Sequence, residues 1–175
     1  MKKRIDWDTL FMLQVRAYAM RSACVNYRVG AVFTKNNRVL TGGYNGSPSG
    51  EPNCCDVGCA KRGKDGVILP AGSGLCRGAH AEMNSLANAG VGGAGLVGST
   101  VYCTFSPCWD CAKHLSNIHG RGIARFVYEI EYEEEEGRQA LALLKRRGIE
   151  LAHFVFNESV LSGFQTFNSI AKEGK

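Results

Sequence analysis

Two short stretches carry residue types that could do chemistry together: His80-Ala81-Glu82 and Pro107-Cys108-Trp109-Asp110-Cys111. Cys108 and Cys111 are spaced i, i+3, so both sulfurs project to one side of a helix that starts there. A helix N-terminus favours thiolate, which is the form that binds metal. Pro107 suits the entry to that helix. His80 supplies an imidazole nitrogen. One histidine and two cysteines give a zinc ion three protein ligands and leave the fourth position for water, which is the arrangement of a catalytic zinc site. Zinc lowers the pKa of that water towards neutrality. Glu82, two residues from His80, is placed to take the water's proton and pass it to a substrate without ligating the metal.

Other chemistries use parts of this set. A Cys-x-x-Cys that follows a strand and opens a helix also suits a redox pair, but that leaves His80 and Glu82 idle. A closed structural zinc would need a fourth ligand such as His114. The complete pattern, His-x-Glu followed by Pro-Cys-x-x-Cys, is the signature of zinc deaminases.

The elements that must position these residues follow from periodicity. Residues 6–23 have a broad apolar face and predict a helix. Val29-Gly30-Ala31-Val32-Phe33 predicts a buried strand, Lys35 to Arg38 a turn, and Val39-Leu40 the start of a returning strand. Residues 42–78 are rich in Gly, Pro, Ser and Cys, and a loop of that length is unusual unless it is functional or stapled. Residues 79–89 predict a helix and the glycine-rich 90–99 a flexible connector. Strands at 100–105, 123–128 and 149–155 then alternate with helices at 108–119, 135–147 and 158–171. This alternation predicts βα units, with the opening hairpin as an antiparallel edge of a mixed sheet. Glu131 and Glu133 to Glu136 precede a helix ending in Lys145, Arg146 and Arg147, which suits the helix dipole and predicts a solvated face.

The bulk properties narrow the rest. A chain of 175 residues with 45% hydrophobic and 21% charged residues predicts one globular domain over 1–175, with a catalytic core at about 6–155. No apolar run approaches a membrane span, and no apolar stretch follows the basic start, so neither a membrane partner nor a secretory signal is expected. The net charge of +5 permits anionic ligands without demanding nucleic acid. Eight cysteines fall short of a disulfide scaffold, so free or metal-bound thiols in a reducing, cytoplasmic compartment (host cytoplasm for a viral chain) are expected.

More than these two motifs resembles one family. Arg28-Val29-Gly30-Ala31-Val32, Gly43-Tyr44-Asn45-Gly46-Ser47-Pro48, Asn53-Cys54-Cys55-Asp56 and His80-Ala81-Glu82-Met83-Asn84 occur in the order found in the zinc-dependent cytidine/deoxycytidylate deaminases of bacterial and phage type. The resemblance covers residues 6–155. It implies a three-layer α/β/α domain with a mixed five-stranded sheet. It also implies hydrolytic deamination of dCMP to dUMP and ammonia, feeding dTTP synthesis. The glycines of Gly43-Tyr44-Asn45-Gly46 let backbone approach a ligand. By resemblance, Asn45 and Gly46 meet the sugar or phosphate, and backbone near Ala81 and Ser106 holds the pyrimidine edge. Arg28 is a candidate for the phosphate and Tyr132 for stacking on the base, and an exposed arginine or a rim aromatic explains each as well.

The resemblance further implies a second, structural Zn2+. Cys24 and Cys54 match positions that bind it, and Cys59 and Cys76 would complete four thiolates, with Cys55 competing for the place of Cys59 and buried thiols as the alternative. Cys103 is expected in the core. The family also implies a homo-oligomer, usually a hexamer, with dCTP and dTTP as effectors alongside Mg2+. Two other functions stay open at this point: a deaminase of dCTP or another cytosine nucleotide, and a non-catalytic nucleotide-binding or DNA-uptake accessory protein of the same fold.

Overall fold

The computed structural model describes residues 4–69, 76–118, 122–157, 159, 160 and 162. The elements are α1 (Trp7–Ala19), β1 (Gly30–Lys35), β2 (Arg38–Tyr44), α2 (Cys54–Val57), α3 (Ala81–Gly92), β3 (Thr100–Phe105), α4 (Trp109–Ser116), β4 (Arg125–Ile130), α5 (Glu135–Arg146) and β5 (Glu150–His153). The helix expected over 158–171 lies outside the described residues, apart from 159, 160 and 162.

The five strands form one sheet in the order β2-β1-β3-β4-β5. β1 runs antiparallel to β2 and to β3, while β3, β4 and β5 are parallel. The expected mixed sheet is therefore present. Its central strands are buried on both faces, and successive residues divide between two cores because strand side chains alternate. Val32, Tyr102 and Val127 pack with Phe11, Met12 and Val15 of α1. Ala31, Phe33, Val101, Cys103, Phe126 and Tyr128 pack with Ala89, Ala112, Leu115, Ala140 and Leu144 of α3, α4 and α5. α1 covers one face, and the other three long helices cover the opposite face. These are the three layers.

Local chemistry sets the boundaries. Asp6 caps α1 by accepting from the Thr9 N–H at 2.7 Å. Asn36 and Asn37 take φ values of 52° and 59°, which close the β1–β2 hairpin in the sense that matches strand twist. α1 stops at Ala19, four residues before the expected end, and the chain from 20 to 29 is irregular. α3 runs on through Gly92, so the first three residues of the expected connector are helical. Gly93, at φ 65°, ends it, and the Ala94 N–H donates back to Ala89 O at 3.0 Å. β4 ends at Ile130, two residues later than expected.

A polar clamp fastens α1 to the sheet. The Arg125 guanidinium donates to both Asp8 carboxylate oxygens at 2.8 Å, its Nε donates to Glu150 at 2.9 Å, and the Tyr102 hydroxyl donates to Asp8 at 2.6 Å. The Arg125 hydrogen bonds hold the Asp8 carboxyl below the usual carboxylate range, against a smaller opposing effect of burial. A carboxyl whose pKa is depressed by folding stabilises the fold above its unfolded pKa, and that stability is lost as pH falls through the folded value. Asp8→Asn is therefore expected to cost about 1–2 kcal/mol at neutral pH and to flatten the acid limb of stability, read from urea unfolding at several pH values.

Candidate metal centre and its surroundings

Two helix starts converge on one point. His80 is the N-cap residue of α3, and Cys108 is the N-cap residue of α4. β3 ends at Phe105 and hands the chain to Ser106, whose N–H donates to Ile130 O at 2.7 Å. Buried Pro107 follows, and Cys108 Sγ accepts from the Cys111 N–H at 3.5 Å. On the other side, an isolated bridge fixes the approach to His80: Ala79 N–H donates to Gly46 O at 2.8 Å, and Gly46 N–H donates to Ala79 O at 3.2 Å.

These ties bring His80 Nδ1 to 3.2 Å from Cys108 Sγ and 3.5 Å from Cys111 Sγ. Among the described residues, this is the one group of three or more metal-capable side chains whose ligand atoms all lie within 4.8 Å of one another. His114 is exposed and outside it, so the closed four-ligand alternative has no support here. The donor set fits zinc: a borderline nitrogen and two thiolates from rigid elements, with a fourth side open. The electrostatics point the same way. Cys108 is drawn down to about 4, chiefly by hydrogen bonding with Cys111 and also by His80, against the cost of burial. Cys111 is pushed up by Cys108 and by its own burial. His80 is raised to about 9, first by its bond to Cys108. The three groups therefore share protons tightly, and a metal ion would displace them.

Glu82 lies in the first turn of α3 and is 4% exposed. Burial raises its carboxyl, while a bond to its own backbone, the charge of His80 and a bond to Cys111 pull the other way. A buried carboxyl with a raised pKa, beside candidate metal ligands, is equipped to accept and return a proton. Cys103 is fully buried as expected, on the strand behind Glu82.

The flanking residues are placed unevenly. Tyr132 is partly buried, and its phenol is raised first by that burial and then by Glu82, Cys103 and Cys108. Its N–H donates to the Ser106 hydroxyl at 2.9 Å. Its ring stacks on Phe105 at 5.2 Å, and Tyr27 meets both edge-on at 5.8 and 6.3 Å. Tyr27 and Phe105 were not expected from the sequence; the only signal was that they adjoin Arg28 and Ser106. Arg28 is exposed and lines a groove of about 360 Å³ with Arg16, Thr104, Phe105 and Glu129. Ala81 is buried, and its carbonyl accepts from the Ser85 hydroxyl at 2.8 Å.

The Gly-Tyr-Asn-Gly turn also makes contacts within the protein. Gly43 serves packing: a Cβ there would lie 2.8 Å from Ser85 N and 3.1 Å from Ala81 O, so glycine is what lets α3 lie on β2. Asn45 turns its carboxamide inward. Its Oδ1 accepts from Ser22 Oγ at 2.6 Å and Val29 N–H at 2.8 Å, and its Nδ2 donates to Tyr27 O at 2.9 Å.

The remaining cysteines form a looser neighbourhood. The Cys54 thiol is raised first by burial and then by Cys24, Cys59 and Cys76, while Arg77 lowers it. The four do not close to the mutual distance of the His80 group. Cys55 is exposed and bonds Asp56 at 3.4 Å.

The family model described as the cytidine and deoxycytidylate deaminase zinc-binding region matches residues 5–130. A deoxycytidylate deaminase of Saccharomyces cerevisiae is 36% identical over 155 residues, covering 89% of this chain and 47% of the relative. One from Mycobacterium phage D29 is 36% identical over 132 residues, covering 73% of this chain and 98% of the relative. The chain thus spans about half the length of its yeast relatives. A crystal structure of dCMP deaminase from cyanophage S-TIM5, in complex with dCMP and dUMP, superposes with a TM-score of 0.69 at 29% identity, covering 87% of this chain and 99% of that one. With His80, Cys108, Cys111 and buried Glu82 gathered at the ends of α3 and α4, the chain belongs to the cytidine and deoxycytidylate deaminase family.

Proposed function

We propose that this chain catalyses the hydrolytic deamination of dCMP to dUMP and ammonia at a zinc ion held by His80, Cys108 and Cys111. The observation that carries it is a buried Glu82 beside a three-ligand set with an open side. The monophosphate is supported by the cyanophage relative that was solved with dCMP and dUMP. Zinc bound in this set supplies an activated water as the nucleophile for C4 of the cytosine ring. Glu82 would accept one proton of that water and deliver it to ring N3, then take the second proton from the hydroxyl now on C4 and pass it to the departing amine. Electrons from the new C4 oxygen expel ammonia, which leaves the uracil product. Tyr132, and Phe105 behind it, present an aromatic face to the base. Backbone at Ala81 and Ser106 borders the pyrimidine edge. Arg28 is the cation for the phosphate, and the turn at Asn45 and Gly46 borders the sugar.

Cys24, Cys54, Cys59 and Cys76 are proposed to hold a second, structural zinc. This is supported by the effect of the other three thiols on Cys54 and by the positive charge of Arg77 beside it. Cys55 carries no such coupling. The family resemblance extends the proposal to a single domain over 1–175 that acts as a homo-oligomer, with dCTP and dTTP as effectors.

One panel tests the substrate. Purified zinc-loaded chain is offered dCMP, dCTP, cytidine and tRNA, with and without dCTP and dTTP, and ammonia is measured. dCMP is expected to be consumed faster than any other, and at least about tenfold faster than cytidine, which lacks the phosphate, since a charged contact to it contributes about 1.5–3 kcal/mol. Faster release from dCTP would move the assignment to the triphosphate. Tight dCMP binding without ammonia would favour a non-catalytic relative.

A further inference from the structure

The segment from residue 20 to 29 links three things: the end of α1, the cysteine neighbourhood and the aromatic wall of the site. It has no helix or strand of its own, so specific bonds must hold it. Ser22 is the node. Its hydroxyl donates to Asn45 Oδ1 at 2.6 Å and accepts from the Cys24 N–H at 3.2 Å. Asn45 in turn holds both ends of the Tyr27–Val29 stretch, through Tyr27 O and the Val29 N–H. On the far side, the Tyr27 N–H donates to Cys24 Sγ at 3.4 Å, and Asn26 Nδ2 donates to Cys59 Sγ at 3.2 Å. The Cys55 N–H donates to Ala23 O at 3.1 Å. The segment is thus pinned from two directions.

What these bonds aim is the ring of Tyr27. It is 48% exposed, yet it stands edge-on to both Phe105 and Tyr132. The Tyr132 N–H donates to the Ser106 hydroxyl at 2.9 Å, two residues before Cys108. Edge-to-face contacts depend on ring placement, so a small slide of the backbone at Tyr27 would open the wall.

We infer that Ser22 is a positioning residue: through Asn45 it fixes the backbone of Tyr27, and Tyr27 closes the outer wall of the pocket above the metal centre. This rests on the pocket being the nucleotide site. Ser22 touches no reacting atom, so its effect falls on substrate capture and not on the proton transfers of Glu82.

Steady-state kinetics and hydrogen exchange test this on the zinc-loaded full chain. Ser22→Ala is expected to raise KM for dCMP about fivefold with kcat within about twofold, the size of one lost hydrogen bond. Ser22→Thr, which keeps the hydroxyl, is expected to restore KM. Tyr27→Ala should raise KM at least as much, and the double variant should add nothing further, because both act through one ring. In Ser22→Ala, amides of residues 24–29 should exchange faster while those of α3 do not change. An unchanged KM, or additive effects in the double variant, overturns the role. Absence of dCMP turnover in the unmodified chain would instead strike the proposed reaction. The Ser22 tether then stands or falls on the exchange result, and unchanged protection of residues 24–29 in Ser22→Ala overturns it.

Discussion

Glu82→Gln is expected to leave a folded, zinc-loaded chain that has lost about 10³-fold or more of its turnover of dCMP. The carboxyl is 4% exposed, and burial is the largest influence on it, raising its pKa. A neutral amide of nearly the same shape therefore fits without leaving a buried charge. The atoms proposed to hold the metal are separate: His80 Nδ1 and the sulfurs of Cys108 and Cys111. Metal content should not change. What goes is the ability to accept a proton and return it, which an amide cannot do. The comparison is ammonia release against zinc per chain in the same preparation. Full activity in Glu82→Gln would overturn the assigned proton carrier. Loss of zinc together with activity would show that Glu82 helps to hold the metal.

The sheet was largely legible from the sequence, for a simple reason. Val29 to Phe33, Val101 to Cys103 and Phe126 to Tyr128 are buried on both faces, so they read as continuous apolar runs. The candidate metal group was legible because each of its residues lies in a short motif with a fixed spacing. The end of α1 was not. Met20, Arg21, Ser22 and Ala23 have no helix-breaking chemistry, and it is the distant Asn45 that takes the Ser22 hydroxyl off the helical course. The packing role of Gly43 was hidden for a similar reason. Gly43 has a backbone that any residue could adopt, and only the approach of α3 reveals why a side chain is excluded. Tyr27, Phe105 and Tyr132 lie far apart in sequence, and only the folding of β3 beside β4 brings the last two into stacking contact. Asn45 shows the limit most clearly. Its residue type announces hydrogen bonds but does not say whether the partner is a ligand or the protein's own backbone.

Cys111→Ala is the second large effect, and it separates the two sets of thiols. Cys111 is 1% exposed and packed at the start of α4 beside Leu115 and Ala112, which are also buried. Removing its sulfur leaves His80 and Cys108 as a two-ligand set, too few for tight zinc. Zinc per chain is expected to fall by about one, and turnover by at least about 10³-fold, because the water is no longer activated. Stability should fall modestly, since the surrounding sheet core does not depend on that sulfur. Cys54→Ala gives the contrasting result if the four-cysteine set holds its own ion. Zinc again falls by about one per chain, from about two, but Glu82 and the His80, Cys108 and Cys111 group are intact and a measurable kcat remains. The loss should then appear in KM, because Cys24 and Cys59 bond the same 22–29 segment that carries Tyr27. A chelator removes both ions from the unmodified chain, and added zinc restores turnover there but not in Cys111→Ala. If the unmodified chain binds only about one zinc, and Cys54→Ala binds as much, the Cys54 neighbourhood consists of buried thiols and not a metal site.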